Sequence, residues 1–283
     1  MTAKRWMLYS AYKTLRRSGY LRFINRNVNY ASILMYHRVN DYDRDSLTTP
    51  TAIFDEMMRE LKRHYEIVSL QSLIEVIKEG RALKGRVVVV TFDDGYKDNI
   101  DCAAPILKKH NIPATFFVTT GYINTEMSFP WDRDSATKNP LMTWDEVREL
   151  DKMGFEIGAH TVTHADLGVV STEEARKEVR LAKQHIEAEL GKRVISFAFP
   201  FGRRGSCSPE VSRIVKEQGY ACCCSGYGGK VTERSDLFNL HRAPMYPSTI
   251  ELLMEIDNFM TYFDGRMGIN LLPSDIADRL QTS

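Results

Sequence analysis

Nothing in this 283-residue chain is both long enough and apolar enough to span a bilayer. Its first residues also lack the apolar core and cleavage site of a secretory signal. The five cysteines, Cys102, Cys207 and the run Cys222 to Cys224, form no CxxC pair and keep no regular spacing. That argues against a disulfide framework and against a cysteine-held structural zinc. A reducing, cytoplasmic compartment is the expectation. Net charge is only +1 at neutral pH, so bulk charge selects no polyanionic partner such as nucleic acid. Acid is missing at one end: the first 40 residues carry eight Lys or Arg and no Asp or Glu.

Read as a helix, that basic segment places Met7, Leu8, Ala11, Tyr12 and Leu15 on one face. Arg5, Lys13, Arg16 and Arg17 lie mostly opposite, and Trp6 falls among them. Two readings stay open. The segment can lie on an anionic membrane surface, at the inner face of a membrane, or it can dock on the rest of the protein as a solvated helix.

What the chain has is ordinary globular composition, 43% hydrophobic and 27% charged, organised around one stretch. Arg86 to Tyr96 reads RVVVVTFDDGY. The β-branched run predicts a strand buried on both faces, as in a parallel sheet. Asp93 and Asp94 fall where that strand ends. Two adjacent carboxylates there repel each other and lose hydration, so they need compensation, for which a divalent cation serves. Gly95 permits the sharp turn that would aim both at one site. A second strand, Phe155 to Ile157, runs into Gly158-Ala159-His160-Thr161-Val162-Thr163-His164. Two histidines four apart can reach one metal, and a carboxylate completes a three-ligand set suited to zinc.

TFDDGY and HTVTH resemble the first two motifs of the polysaccharide deacetylases, the metal-dependent family that includes chitin, peptidoglycan and exopolysaccharide N-deacetylases. Phe199-Pro200-Phe201-Gly202 resembles the third. The resemblance implies an α/β fold, an irregular (β/α) barrel with its site at the C-terminal ends of the strands. It implies Asp94, His160 and His164 as ligands of a divalent metal, zinc by the donor set, and Asp93 as general base. It places an oxyanion-stabilising N–H at Phe201, beside Pro200, and Leu167 in the acetyl pocket. The family's third-motif arginine would fall at Ala198, so its role in orienting the base is unfilled or supplied elsewhere. Two histidines compete as the acid that protonates the leaving amine. His37 ends a strand, Ala31 to Val39, that resembles the exopolysaccharide deacetylase branch. His241, in Leu240-His241-Arg242-Ala243-Pro244, falls where the classical family keeps its acid.

Strands and helices alternate along the remaining chain. Helices are expected over Phe54–Tyr65, Leu70–Lys78 and Asn99–His110, the last despite Pro105. Capping boxes at Thr143/Glu146 and Ser171/Glu174 open two more, ending at Gly154 and Gly191. Ser208-Pro209 starts another, and Ser248/Glu251 precedes a helix over Leu252–Phe263. Further strands are expected at Ala114–Val118, Val194–Phe199, Tyr220–Ser225 and Asn239–Ala243. The acids of the Asn40–Pro50 loop read as solvated. Tyr122–Pro140 is long for a connection and reads as a substrate lid, with Trp131 either stacking on a sugar face or buried. These expectations divide the chain into a basic segment (1–30), a catalytic domain (31–247) and a C-terminal helical extension (248–283). The function expected is removal of N-acetyl groups from sugars of a polysaccharide or its lipid-linked precursor. The alternatives are hydrolysis of another non-peptide amide, and a carbohydrate-binding pseudoenzyme favoured by the missing arginine.

Overall fold

The computed structural model describes residues 3–133 and 137–259. The extension expected over 248–283 therefore lies outside the described residues beyond 259, as does the end of its helix. The chain opens with helices α1 (Ala3–Arg17) and α2 (Tyr20–Ile24). Then come β1 (Tyr30–Tyr36), the short pair β2 (Arg38–Val39) and β3 (Thr48–Thr49), α3 (Thr51–His64), β4 (Glu66–Ile67) and α4 (Leu70–Lys78). Strand β5 (Arg86–Phe92) is followed by α5 (Ala104–Lys109), β6 (Ala114–Val118), α6 (Trp144–Lys152) and β7 (Glu156–Ala159). Helix α7 (Thr172–Leu190), β8 (Ser196–Ala198), α8 (Pro209–Glu217), β9 (Cys222–Cys224), β10 (Arg242–Ala243) and α9 (Thr249–Ile256) complete it.

The main sheet runs β10-β1-β5-β6-β7-β8-β9, all parallel, with β4 also on β5. Leu240 bridges Cys224 of β9, and two residues later Arg242 and Ala243 pair with Ile33 and Leu34 of β1. One short segment thus joins the two edges and closes the barrel.

Strand alternation sorts the core. Val88, Val90 and Phe92 of β5 pack outward on the helices. Val87 and Val89 join Ala31, Ile33, Phe117, Ala198, Cys222 and Cys224 in an inner cluster. Each fully buried valine contributes roughly 1.5–3 kcal/mol, which is why this strand is so legible. The three adjacent cysteines are buried thiols, with Cys222 and Cys224 inside and Cys223 outside. Gly158 stands where a Cβ would come within 2.5 Å of the Phe117 ring, so only glycine lets β7 approach β6 there.

Local signals hold at most helix starts. The Thr143/Glu146 box forms reciprocally, Ser171 caps α7, and Gly191 ends it at φ 66°. Two differ. Asn99–His110 begins as a π turn over Asn99–Ala103 before α5, because Pro105 has no N–H to donate and its ring crowds an ordinary preceding turn. Ser248 does not accept the amide three residues on; its hydroxyl donates to Glu251 at 2.8 Å instead. Glu251 is also bonded by Arg5 and by Tyr9 (2.6 Å).

Those bonds dock α1 along α9. Tyr12 is buried, and its hydroxyl donates to Asp257 at 2.7 Å. Arg16 reaches the same carboxylate at 2.8 Å. The docked face therefore includes Arg5 and Arg16, turned toward Glu251 of α9 and Asp257 at its end, while Met7 is exposed. Of the Asn40–Pro50 acids, Asp41 and Asp45 are exposed, as expected of a solvated loop, and Asp43 is half-buried. Asp43 and Asp45 pair with Arg38, whose completely buried guanidinium requires counter-charge.

Candidate active site

Asp93 continues the inward column of β5, since Val87, Val89 and Thr91 precede it on the same side. Ordinary alternation would send Asp94 outward. Instead Asp94 adopts φ 77° and Gly95 φ 89°. That left-handed turn brings the second carboxylate round to the mouth of the barrel beside the first. For a non-glycine residue this conformation costs on the order of 1 kcal/mol or more and needs surrounding structure to hold it. Here the Asp94 carbonyl accepts from Thr119, and the Gly95 carbonyl accepts from Met142 at 2.9 Å.

The histidine turn is held just as firmly. His160 leaves the end of β7 inward, and its Nδ1 donates to the Ala198 carbonyl at 2.8 Å. That fixes the tautomer and leaves Nε2 as a lone-pair donor. Thr161 and His164 both take positive φ, 64° and 59°. The buried Glu178 of α7 accepts from the Val162 and Thr163 amides at 2.8 and 2.9 Å and from the Thr163 hydroxyl at 2.9 Å. It acts as a clamp on the turn that carries His164. On the far side Asp166 is tied to the third-motif loop through Ser206 (2.7 Å) and Arg203.

His160 Nε2 and His164 Nε2 then lie 3.5 and 3.3 Å from Asp94 Oδ1. One ligand atom from each of the three falls within 4.8 Å of the others. Asp94 Oδ1 is buried with no well-aligned hydrogen bond. The His160 lone pair facing such an oxygen repels it as it stands, and a divalent cation between them removes the conflict, so the residues fit a metal. Burial pushes the Asp94 carboxyl up, but the surrounding imidazoles, His164 foremost, hold it well below the usual carboxylate range. Burial also lowers His160, to about 4, so it is neutral and ready to coordinate at physiological pH.

Asp93 has a different partner. Arg242 forks onto both its oxygens, Nη1 to Oδ1 at 2.6 Å and Nη2 to Oδ2 at 2.7 Å. Both side chains are almost fully buried. Burial raises Asp93, and the Arg242 charge outweighs it, so the carboxyl stays ionised below its usual range. The guanidinium is itself fixed by the Ser225 carbonyl (2.9 Å), by Thr91 and by the Phe117 ring beneath it. Ala198, where the resemblance looked for an arginine, is a small residue of the same inner cluster, and the arginine comes from β10 instead. Sequence reading missed Arg242. The available signal was an arginine in a strand expected to be buried on both faces, which demands a carboxylate partner.

A cavity of about 290 Å³ opens over these groups, with His37, Trp131, Phe201 and Leu47 among its walls. His37 reaches it because β1 alternates through Ala31, Ile33 and Met35, and Asn99 holds its backbone carbonyl at 2.7 Å. His241 is not among the lining residues. Next to the inward Arg242 it takes the opposite side, with its ring 4.8 Å from Tyr227 and against Gly229. Pro200 and Leu167 are buried without lining the cavity. Phe201 is 55% exposed, at φ 62°. Its ring and that of Trp131 stand 4.9 and 5.0 Å from His164, making two aromatic walls. Trp131 is held from behind: its Nε1 donates to the Tyr96 hydroxyl (2.9 Å), which donates to Asp132 (2.7 Å), which Arg38 grips at 2.5 Å. The Tyr122–Pro140 segment, apart from residues 134–136, is thus anchored through a buried ion pair.

A family model described as polysaccharide deacetylase matches residues 80–223. The chain belongs to the polysaccharide deacetylase family. Among solved structures, the Streptococcus pyogenes deacetylase PplD in complex with acetate is 25% identical with a TM-score of 0.69, covering 80% of this chain and 98% of that one. YxkH of Bacillus subtilis is 24% identical over 216 residues, 76% of this chain and 71% of that protein. The poly-beta-1,6-N-acetyl-D-glucosamine N-deacetylase of Staphylococcus aureus is 25% identical over 187 residues, 62% of this chain and 61% of that enzyme. In this deacetylase, His37 and Arg242 both fall outside the residues that the family model matches.

Proposed function

We propose that this deacetylase is a zinc-dependent hydrolase that removes acetyl groups from N-acetylated amino sugars of a polysaccharide or its lipid-linked precursor. The observation that carries the reading is Asp93, held ionised by a two-pronged arginine beside the Asp94, His160 and His164 set in one aromatic-walled cavity. A pseudoenzyme would need neither a metal set nor a base kept charged. The vacant third-motif position, which favoured that alternative, has its counterpart in Arg242.

When bound, the cation would polarise the acetamide carbonyl and lower the pKa of an attacking water. The rest falls to the chain. Asp93 Oδ accepts the proton of that water, and Arg242 fixes the carboxylate so that no reorientation is needed as charge moves. The Phe201 backbone N–H stands in the third-motif loop to stabilise the oxyanion, a donor typically worth about 3–4 kcal/mol of barrier. His37 delivers the proton that makes the amine a competent leaving group. Trp131 and Phe201 present flat apolar surface to a pyranose ring, which suits a sugar better than a small cyclic amide.

Acetate release from an N-acetylglucosamine oligomer, with and without a chelator, tests this. Release that stops on chelation and returns with zinc is expected. Release that persists through exhaustive chelation would remove the metal. Zinc binding without any release would leave the pseudoenzyme.

A further inference from the structure

We propose that the outer face of α1 and α2 is a docking surface for an anionic membrane. The basic N-terminal segment divides in two in the structure. Arg5 and Arg16 are spent inward on Glu251 and Asp257. The opposite side carries Trp6 at 61%, Met7 at 60%, Tyr20 at 39% and Phe23 at 61% exposure. Nine large hydrophobic side chains are exposed among the described residues, and four of them crowd between residues 6 and 23. A helix that served only to cover the barrel would have no use for them there.

Charge selects the occupant. Trp6, Lys13 and Arg17 are seven and four residues apart, one row along the exposed side of α1. Lys13, Arg17 and Arg22 are exposed and make no ion pair among the described residues. Arg26 lies over the Phe23 ring at 4.7 Å. No acid occurs before Asp41 to repel an anionic leaflet. Aromatic and basic side chains side by side match a headgroup boundary, where rings insert shallowly and cations meet anionic lipid. A soluble polyanion would call for the cations alone.

The docking has a direction. Arg5 meets Glu251 and Arg16 meets Asp257, so α1 runs parallel to α9, away from the end of β10 where the cavity opens. The patch lies along the barrel flank, and the active-site mouth then opens along the bilayer plane.

Flotation of the full chain with phosphatidylserine-containing vesicles, and with pure phosphatidylcholine vesicles, tests the surface without relying on turnover. Binding to the anionic vesicles that weakens as salt rises is expected. Lys13→Gln, Arg17→Gln, Arg22→Gln and Arg26→Gln together should weaken it by about two to three orders of magnitude, near fivefold per charge. Trp6→Ala with Phe23→Ala should weaken it again and leave the salt dependence in place. All these variants should release acetate from a soluble oligomer as the parent does, which shows that they fold. A chain that fails to float with anionic vesicles at low salt overturns the proposal. So does a fourfold variant that floats like the parent, or a chain retained by an anionic polysaccharide but by no vesicle.

Discussion

Replacing Arg242 with methionine keeps much of its volume and removes the charge. Asp93 would then be a carboxylate at 2% exposure whose two oxygens have lost their 2.6 and 2.7 Å partners. Breaking a buried pair from one side typically costs about 3–5 kcal/mol, because the remaining charge is stranded. Urea unfolding in the presence of chelator, so that no bound cation compensates, should show a loss of that size. Asp93→Asn in the same background should recover most of it, giving a coupling of about 2–4 kcal/mol in the double-mutant cycle. Activity should fall as well, since a base displaced by even about 1 Å can cost about 100-fold. Arg242→Lys keeps the charge without the planar fork and should fall between the two. If Arg242→Met unfolds within about 1 kcal/mol of the parent and turns over substrate normally, then Arg242 neither supports nor orients Asp93, and the reasoning fails.

Three further outcomes can be checked. Asp94→Ala or His160→Ala should abolish stoichiometric zinc binding, and Glu178→Ala should weaken it about 10–100-fold by loosening the His164 turn, read by competition with a chromophoric chelator. His37→Ala should lower kcat far more than His241→Ala with metal content unchanged in both; the reverse order would move the acid to His241. Asp98 is pushed up to about 6 by burial, against the pull of its bond from Asn40. It therefore binds its proton more tightly folded than unfolded, and the stability it contributes is lost as pH rises from about 4 through 6, by about 3 kcal/mol at full effect. Asp98→Asn should thus gain on the parent between about pH 4 and 6.5 in urea unfolding, and a constant difference across that window would show that Asp98 does not titrate there.

Legibility from sequence followed the length and regularity of each element. Strand β5 announces itself because four consecutive valines leave no soluble alternative. The Asp-Asp and HxxxH motifs stood out because they adjoin such strands, and the structure brings Asp94, His160 and His164 together. Strand β10 has two residues, too few for any period to show, so which of His241 and Arg242 faces inward was undecidable without the pairing of Arg242 with Ile33. The inward turn of Arg5 and Arg16 was hidden for a related reason. Helical periodicity sorts residues by apolar character, whereas here Glu251 and Asp257, 246 and 241 positions away, supply the reason for turning a cation inward. The anchoring of Trp131 through Tyr96, Asp132 and Arg38 likewise joins three separate stretches, none of which carries a local signature.

The segment that closes the barrel also has a consequence for timing. Leu240 to Ala243 is the last of the described sheet to leave the ribosome, and it delivers the guanidinium that grips Asp93. A nascent chain already carrying both aspartates and both histidines would still have an open edge between β9 and β1 and an unrestrained Asp93. Such a chain could gather a cation before it could use one. On the proposed mechanism, chemical competence is acquired in the same event as ring closure, and a shortened product ending before residue 240 would leave Asp93 without its arginine however well its earlier strands had assembled.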